Sequence, residues 1–197
     1  MSVPVYVVLL HHPMRNREGS IVTTAVTNLD IHDIARSCRT FGVKEYILVT
    51  PIESQHRLVQ RILGHWGEAP SKKWHPDRSE ALSRVRIEAS FAALLDRLTR
   101  EHGVKPEVVL TDASDLKGGI SYSEYRRELE ARGVAPNPRP VVIVFGTGWG
   151  VDSSFHPVVD RILAPIHGPE GKQEEGGYNH LSVRAAAAII LDRLFGH

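Results

Sequence analysis

The sequence predicts an α/β protein in which a mostly parallel sheet carries helices on both faces. Three observations lead there: short, nearly continuous apolar runs rich in Val, Ile and Leu; segments of helical period between them; and the alternation of the two along the chain. Runs that stay apolar without alternating are what strands buried on both faces look like.

The strand-like runs fall at 5–10, 46–49, 108–110, 141–145 and 161–163, and 85–89 reads either as a short extra strand or as an extended loop. The first helical segment places Ile31, Ile34, Ala35, Cys38 and Phe41 on one face, and Gly42 follows as its stop. Further stripes occur at Leu58, Val59, Ile62, Leu63 and Trp66, at Phe91, Leu94, Leu95 and Leu98, and at Val183, Ala186, Ala187, Ile190, Leu191 and Leu194. Proline and glycine gather at 133–140 and 168–177, two exposed connections that do not read as domain boundaries.

A chain of 197 residues suits one domain with a sizeable core, so 1–197 is read as a single domain. Its 42% hydrophobic and 24% charged residues belong to the soluble range, and no segment has the apolar length of a bilayer span. The opening MSVPVYVVLL has no basic region and no small-residue cleavage site, so it reads as a strand rather than a secretory signal, and a cytoplasmic location is expected. Cys38, the only cysteine, sits among apolar helix positions as a small hydrophobe. The eleven histidines form no HxxxH pair or Cys/His cluster, which argues against a metal site. A net charge of +1 means that any nucleic-acid site must be a local patch.

In open parallel sheets ligands bind beyond the carboxyl ends of the strands, and three stretches stand out there. FGTGWG at 145–150 follows an apolar run; glycines at alternate positions let the main chain turn sharply and present N–H and C=O groups to a ligand. It lacks the Lys-Ser/Thr of a phosphate loop and the GxGxxG spacing of a dinucleotide site. YNHLSVR at 178–184 concentrates Asn179, His180 and Ser182 at a helix start, where one of them caps exposed N–H groups and where the helix N-terminus beside the glycine turn also offers donors for a ligand carboxylate. In the first helix His32, Arg36 and Arg39 fall opposite the apolar stripe, either as a solvated face balanced by Asp30 and Asp33 or as a phosphate or ribose site.

The run TAVTNLDIHDIARSCRTFGVKEYILVTP, the turn FGTGWG and the terminal YNHLSVRAAAAIILDRL resemble, in the right order and over nearly the whole chain, a bacterial family of SPOUT-superfamily RNA methyltransferases. The resemblance implies S-adenosylmethionine as cofactor, RNA as substrate (tRNA or rRNA, methylated on a ribose 2′-oxygen or a base nitrogen), a homodimer, and a deep trefoil knot formed by the C-terminal segment. It implies cofactor contacts from Phe145, Gly146, Thr147, Gly148, Trp149 and Gly150, and from the closing segments Pro165, Ile166, Tyr178, Asn179, His180, Leu181, Ser182 and Val183. Thr111, Asp112 and Ala113 would line the remaining wall.

Arg36 matches an arginine that ribose-methylating relatives use near the target nucleotide, whereas Asp30 stands where they often carry asparagine. Proton acceptors within reach would be Asp30, His32 or a glutamate of the 168–177 connection, because an arginine resists deprotonation and holds phosphate instead. Arg39, Lys72, Lys73, Trp74, His75 and Arg78 are the further candidates for RNA contact, although the segment around 72–78 also reads as a solvated loop. His11, His12 and Arg15 follow the first strand and point to the same cleft without an assigned role. The other reading of the chain is a cofactor-binding protein that contacts RNA or regulates a partner without turnover.

Overall fold

The computed structural model describes residues 3–168 and 180–196. In chain order the strands are β1 (Val5–Leu10), β2 (Met14–Arg15), β3 (Ile21–Val22), β4 (Glu45–Val49), β5 (Val85–Glu88), β6 (Glu107–Thr111), β7 (Val141–Phe145) and β8 (Arg161–Leu163). The helices are α1 (Asn28–Thr40), α2 (Glu53–Gly67), α3 (Ala69–Trp74), α4 (Pro76–Ser83), α5 (Phe91–His102), α6 (Tyr122–Arg132) and α7 (Val183–Phe195). Six strands form one sheet in the order β5-β4-β1-β7-β6-β8, and every pairing in it is parallel. β2 and β3 make a separate two-stranded hairpin.

Period-2 alternation sorts the strand side chains onto two faces. Val5, Val7 and Leu9 of β1 join Tyr46, Leu48, Ile143 and Phe145 under α1, α4, α6 and α7, which contribute Ile31, Ile34, Leu82, Tyr125, Leu191 and Leu194. Tyr6, Val8 and Leu10 meet Ile47, Val144, Leu110 and, from α5, Phe91, Leu94 and Leu98 on the other face. The expected two-sided cover is therefore present, and the stretch at 85–89 does supply a strand, at the edge of the sheet.

The helix starts follow local chemistry. Thr27, Ser90, Ser121 and Ser182 each accept a hydrogen bond from a main-chain N–H in the first turn of α1, α5, α6 and α7 respectively, satisfying donors that have no partner inside the helix. α1 ends at Thr40, and Gly42 follows in the left-handed conformation (φ 73°) as anticipated.

The segment around 72–78, which the sequence leaves open as a solvated loop, is helical. Pro70 and Pro76 sit in the first turns of α3 and α4, where a missing N–H costs nothing, and the resulting helices are too short to show a period. In α2 only Val59 of the apolar stripe is fully buried, and Leu58 stays 46% exposed because that side of the helix faces an open groove.

Leu9 is wholly buried between β4 and β7. Leu9→Ala should lower the free energy of unfolding by about 2–5 kcal/mol, read from denaturant melts, because neighbours fixed on both sides cannot close the cavity.

Candidate functional site

The sheet changes direction at β1. After β1 the chain lays β4 and β5 on one side, then crosses to build β6, β7 and β8 on the other. Loops leaving neighbouring strands toward opposite sides open a crevice at their carboxyl ends. A cavity of about 660 Å³ lies there. Thr111, Asp112 and Ala113 at the end of β6 form one wall, Phe145, Gly146, Thr147, Gly148, Trp149 and Gly150 after β7 another, and Ile166, His180, Leu181 and Val183 a third.

Pro165 is buried without reaching the cavity wall, and Ser182 is occupied as the cap of α7, accepting from the Ala185 N–H at 3.2 Å. Tyr178 and Asn179, together with most of the 168–177 connection, lie outside the described residues.

The turn after β7 needs its glycines. Gly148 and Gly150 have φ of 59° and 97°, where a side chain is strained, and a Cβ on Gly146 would come within 2.7 Å of Val151 Cγ2 and 3.0 Å of Met14 Cε. The β2–β3 hairpin fixes the turn from outside. The Arg15 N–H donates to the Gly150 carbonyl (3.0 Å), the Asp152 N–H to the Pro13 carbonyl (3.1 Å), and the Arg15 side chain reaches the Asp152 carboxylate at 3.2 Å.

A hydrogen-bond chain anchors the same turn to β1. The Thr147 hydroxyl donates to the Leu10 carbonyl (3.3 Å), so it accepts from Thr24 (2.5 Å), and Thr24 in turn accepts from His11 Nδ1–H (2.9 Å). This direction leaves His11 Nε2 as a bare lone pair, buried and without a partner among the described residues. His11 is wholly buried, and that burial pushes its pKa down to about 4 against a smaller upward pull from the Asp30 carboxylate.

α1 separates two sets of side chains that the sequence placed together. Asp30, only 6% exposed, faces the cavity; its Oδ2 accepts from the Thr27 hydroxyl (2.6 Å) and its Oδ1 from Arg184 Nη1 (2.9 Å). Arg184 also approaches Asp33 at 3.5 Å. His32 lies about 200° around the helix from Asp30. It lines, with Arg36, a second cavity of about 700 Å³ between α1, α2 and α4, its ring edge-on to Trp66 at 5.4 Å. Arg39 is engaged by Glu80 of α4. Lys72, Lys73 and Trp74 are exposed on α3, with the Lys73 ammonium 5.7 Å from the centre of the Trp74 ring.

Thr24, Ala25, Thr27, Ser114, Tyr122, Arg184, Ala186 and Ile190 also line the first cavity, and the sequence did not single them out for the site. Arg184 was within reach of that reading, as the last residue of YNHLSVR. Thr24 and Thr27 belong to a polar run whose fold-back toward β7 only the structure reveals.

The family described as SAM-dependent RNA methyltransferase matches residues 4–196. This chain belongs to that family. It is an RNA methyltransferase that uses S-adenosylmethionine, and its parallel sheet covered by helices is the α/β architecture that the sequence predicts.

An uncharacterized protein of Aquifex aeolicus is 38% identical over 97% of this chain and 88% of its own length. A protein of Nitratidesulfovibrio vulgaris named tRNA (guanine-N(1)-)-methyltransferase is 41% identical over 97% of this chain but only 42% of its own, so the chain spans less than half of that relative. A probable methyltransferase from Bordetella pertussis superposes with a TM-score of 0.61 at 14% identity, covering 98% of this chain and 92% of that one. The SpoU methyltransferase AviRb from Streptomyces viridochromogenes, solved with AdoMet, gives 0.54 at 15% identity, covering 99% and 58%. At such identities the structures speak for the fold.

The first cavity fits the cofactor. Its volume falls within the ~300–1,000 Å³ of small-molecule sites. It joins apolar Phe145, Ile166 and Ile190 to polar Thr111, Asp112 and the exposed main chain of the glycine turn, as a molecule with an aromatic base, a ribose and a charged amino-acid tail requires.

Two outcomes follow. Gly150→Ala forces a Cβ into a φ of 97° and to 3.4 Å from Asp112 Oδ2. It should weaken S-adenosylmethionine binding at least tenfold by calorimetry and lower the melting temperature by a few degrees through the backbone strain, with the protein still folded at the temperature of the titration. Because the unfolded chain protonates His11 near pH 6.5 and the folded chain only near 4, stability is complete above 6.5 and falls by about 3 kcal/mol as pH drops to 4. His11→Gln should flatten that part of the stability profile in denaturant melts.

Proposed function

We propose that the chain methylates a nucleotide of tRNA, acting in the cytoplasm as a homodimer. The observation that carries this reading is Asp30, a carboxylate buried at the cavity wall and aimed by two partners. tRNA rather than rRNA is favoured by the name of the relative from Nitratidesulfovibrio vulgaris, of which this chain matches 42%.

S-adenosylmethionine, when bound, supplies a methyl group made electrophilic by its sulfonium. The chain must then hold an RNA oxygen or nitrogen in line, exclude water and take its proton. The main chain of Phe145 to Gly150 would hold the adenosine, with Thr111, Asp112 and Ala113 opposite. Ile166, His180, Leu181 and Val183 would close the pocket, along with Pro165, Tyr178, Asn179 and Ser182 around them. Asp30 would accept the proton: Thr27 and Arg184 keep the carboxylate oriented, so no reorganisation is needed when the nucleophile arrives.

Arg36 would hold a phosphate. Within one protomer it faces the groove between α1, α2 and α4, away from Asp30, so it would meet the RNA beside the cofactor pocket rather than in it, and the proposed homodimer needs an apolar interface elsewhere. Trp149 and Leu181, 65% and 48% exposed at the cavity mouth, support such an interface. His32, whose pKa is lowered chiefly by burial and then by Arg78, would stay neutral beside it. The trefoil knot is part of the same proposal. Ile166 and His180, on either side of 169–179, line one cavity, as a threaded C-terminal segment requires. One six-stranded sheet with cover on both faces supports reading the chain as a single domain.

A second reading, a unit that binds cofactor and RNA without turnover, is favoured by the length of that same relative, whose named activity belongs to a protein more than twice as long.

The test is radiolabelled methyl transfer to fractionated tRNA and rRNA from a strain lacking the gene. Label should enter tRNA. Asp30→Asn should cut the rate at least a hundredfold, with cofactor affinity within about threefold. An unchanged rate would remove Asp30 from the chemistry; bound cofactor and RNA with no label would establish the second reading.

A further inference from the structure

The cavity between α1, α2 and α4 has a character of its own. Its floor is apolar, with Leu29 59% and Leu58 46% exposed beside Trp66, and no element of the described fold covers it. Its rim carries Arg36, Arg61 and Arg78. Among the described residues none of these three guanidinium groups pairs with a carboxylate; Asp33, the only acidic side chain in the lining, is taken by Arg184. Arg78 is held in place by lying over the Trp66 ring, 5.1 Å from its centre. The cations bear on the groove interior: after burial, Arg78 and Arg36 are among the influences that hold the His32 ring in its neutral form.

We propose that this groove binds an unpaired RNA nucleotide next to the one that is methylated, its phosphate on Arg36, Arg61 and Arg78 and its base against Leu58 and Trp66. An apolar floor with unpaired cations at its edge is what a single-stranded nucleotide needs, since every base offers a flat apolar face and every link a negative charge. The two cavities lie on either side of one turn of α1. Arg184 joins them, bonded to Asp30 in one wall and to Asp33 in the other. The strand would continue toward exposed Lys72 and Lys73, because His75, at the junction of α3 and α4, packs on Trp66 at 5.9 Å.

This inference rests on RNA as the substrate of the family and is independent of whether that RNA is tRNA or whether Asp30 is the base. It is tested by fluorescence anisotropy of a short, fluorescein-labelled single-stranded RNA titrated with Arg61→Glu/Arg78→Glu, without methyl transfer. The double variant should bind at least tenfold more weakly, and the slope of log affinity against log salt should shrink by about 0.7, the value for one lost phosphate contact on a single strand. Cofactor affinity should be unchanged. Arg61→Glu alone, at an exposed position, should weaken binding at least threefold and serves if the double variant melts early. Unchanged RNA affinity in a folded variant overturns the proposal, as does a wild-type protein that does not bind the RNA. A shift from dimer to monomer in sedimentation with RNA affinity intact would make the groove a contact between copies and also overturn it.

Discussion

The pairing of β1 with both β4 and β7 is the constraint on which the rest of the molecule depends. Side-by-side parallel strands demand crossovers, and a chain that leaves β1 toward β4 and returns to the far side to insert β7 must part its loops at the carboxyl ends. The cavity is the gap so created. Because β1 and β7 are buried along their whole length, the turn after β7 springs from one of the most rigid places in the protein, and the hairpin and the His11–Thr24–Thr147 chain hold it further. A neutral histidine with an unused lone pair is tolerated there because its other nitrogen sets the direction of that chain.

α1 is the second organiser. Its apolar stripe docks on the sheet, which forces its two polar sides to face different spaces: Asp30 toward the cofactor cavity, His32 and Arg36 toward the groove. Arg184 couples the sides by reaching from α7 to carboxylates on each. In the proposed reading one helix would hold a proton acceptor and a phosphate clamp apart by a fixed amount, which suits a substrate that is a strand rather than a small molecule.

Much of the fold was legible in the residues. The runs at 5–10, 141–145 and 161–163 became strands with those bounds; the first two are buried along their whole length and leave no polar residue to blur their ends, whereas the third is a short edge strand that starts at exposed Arg161. α3 and α4 were missed because helices of six and eight residues carry too few turns for a period, and α6 because only Tyr125 and Leu129 of its eleven residues are buried. The glycine turn and the end of β6, singled out by the strand-end rule and the family resemblance, line the cavity at the carboxyl ends of the strands. Asp30 is not grouped with His32 and Arg36: helical geometry puts Asp30 on another side of α1, and which side meets which cavity depends on α2, α4 and α7.

The central claim is that S-adenosylmethionine sits in the cavity at the strand ends. Amide hydrogen exchange with and without the cofactor tests it most directly, since a ligand protects the main chain it touches. Slowed exchange is expected at 111–114 and 145–151, with 58–66 in the groove unchanged. Slowed exchange confined to the groove, or none at 145–151 under saturating cofactor, would contradict it.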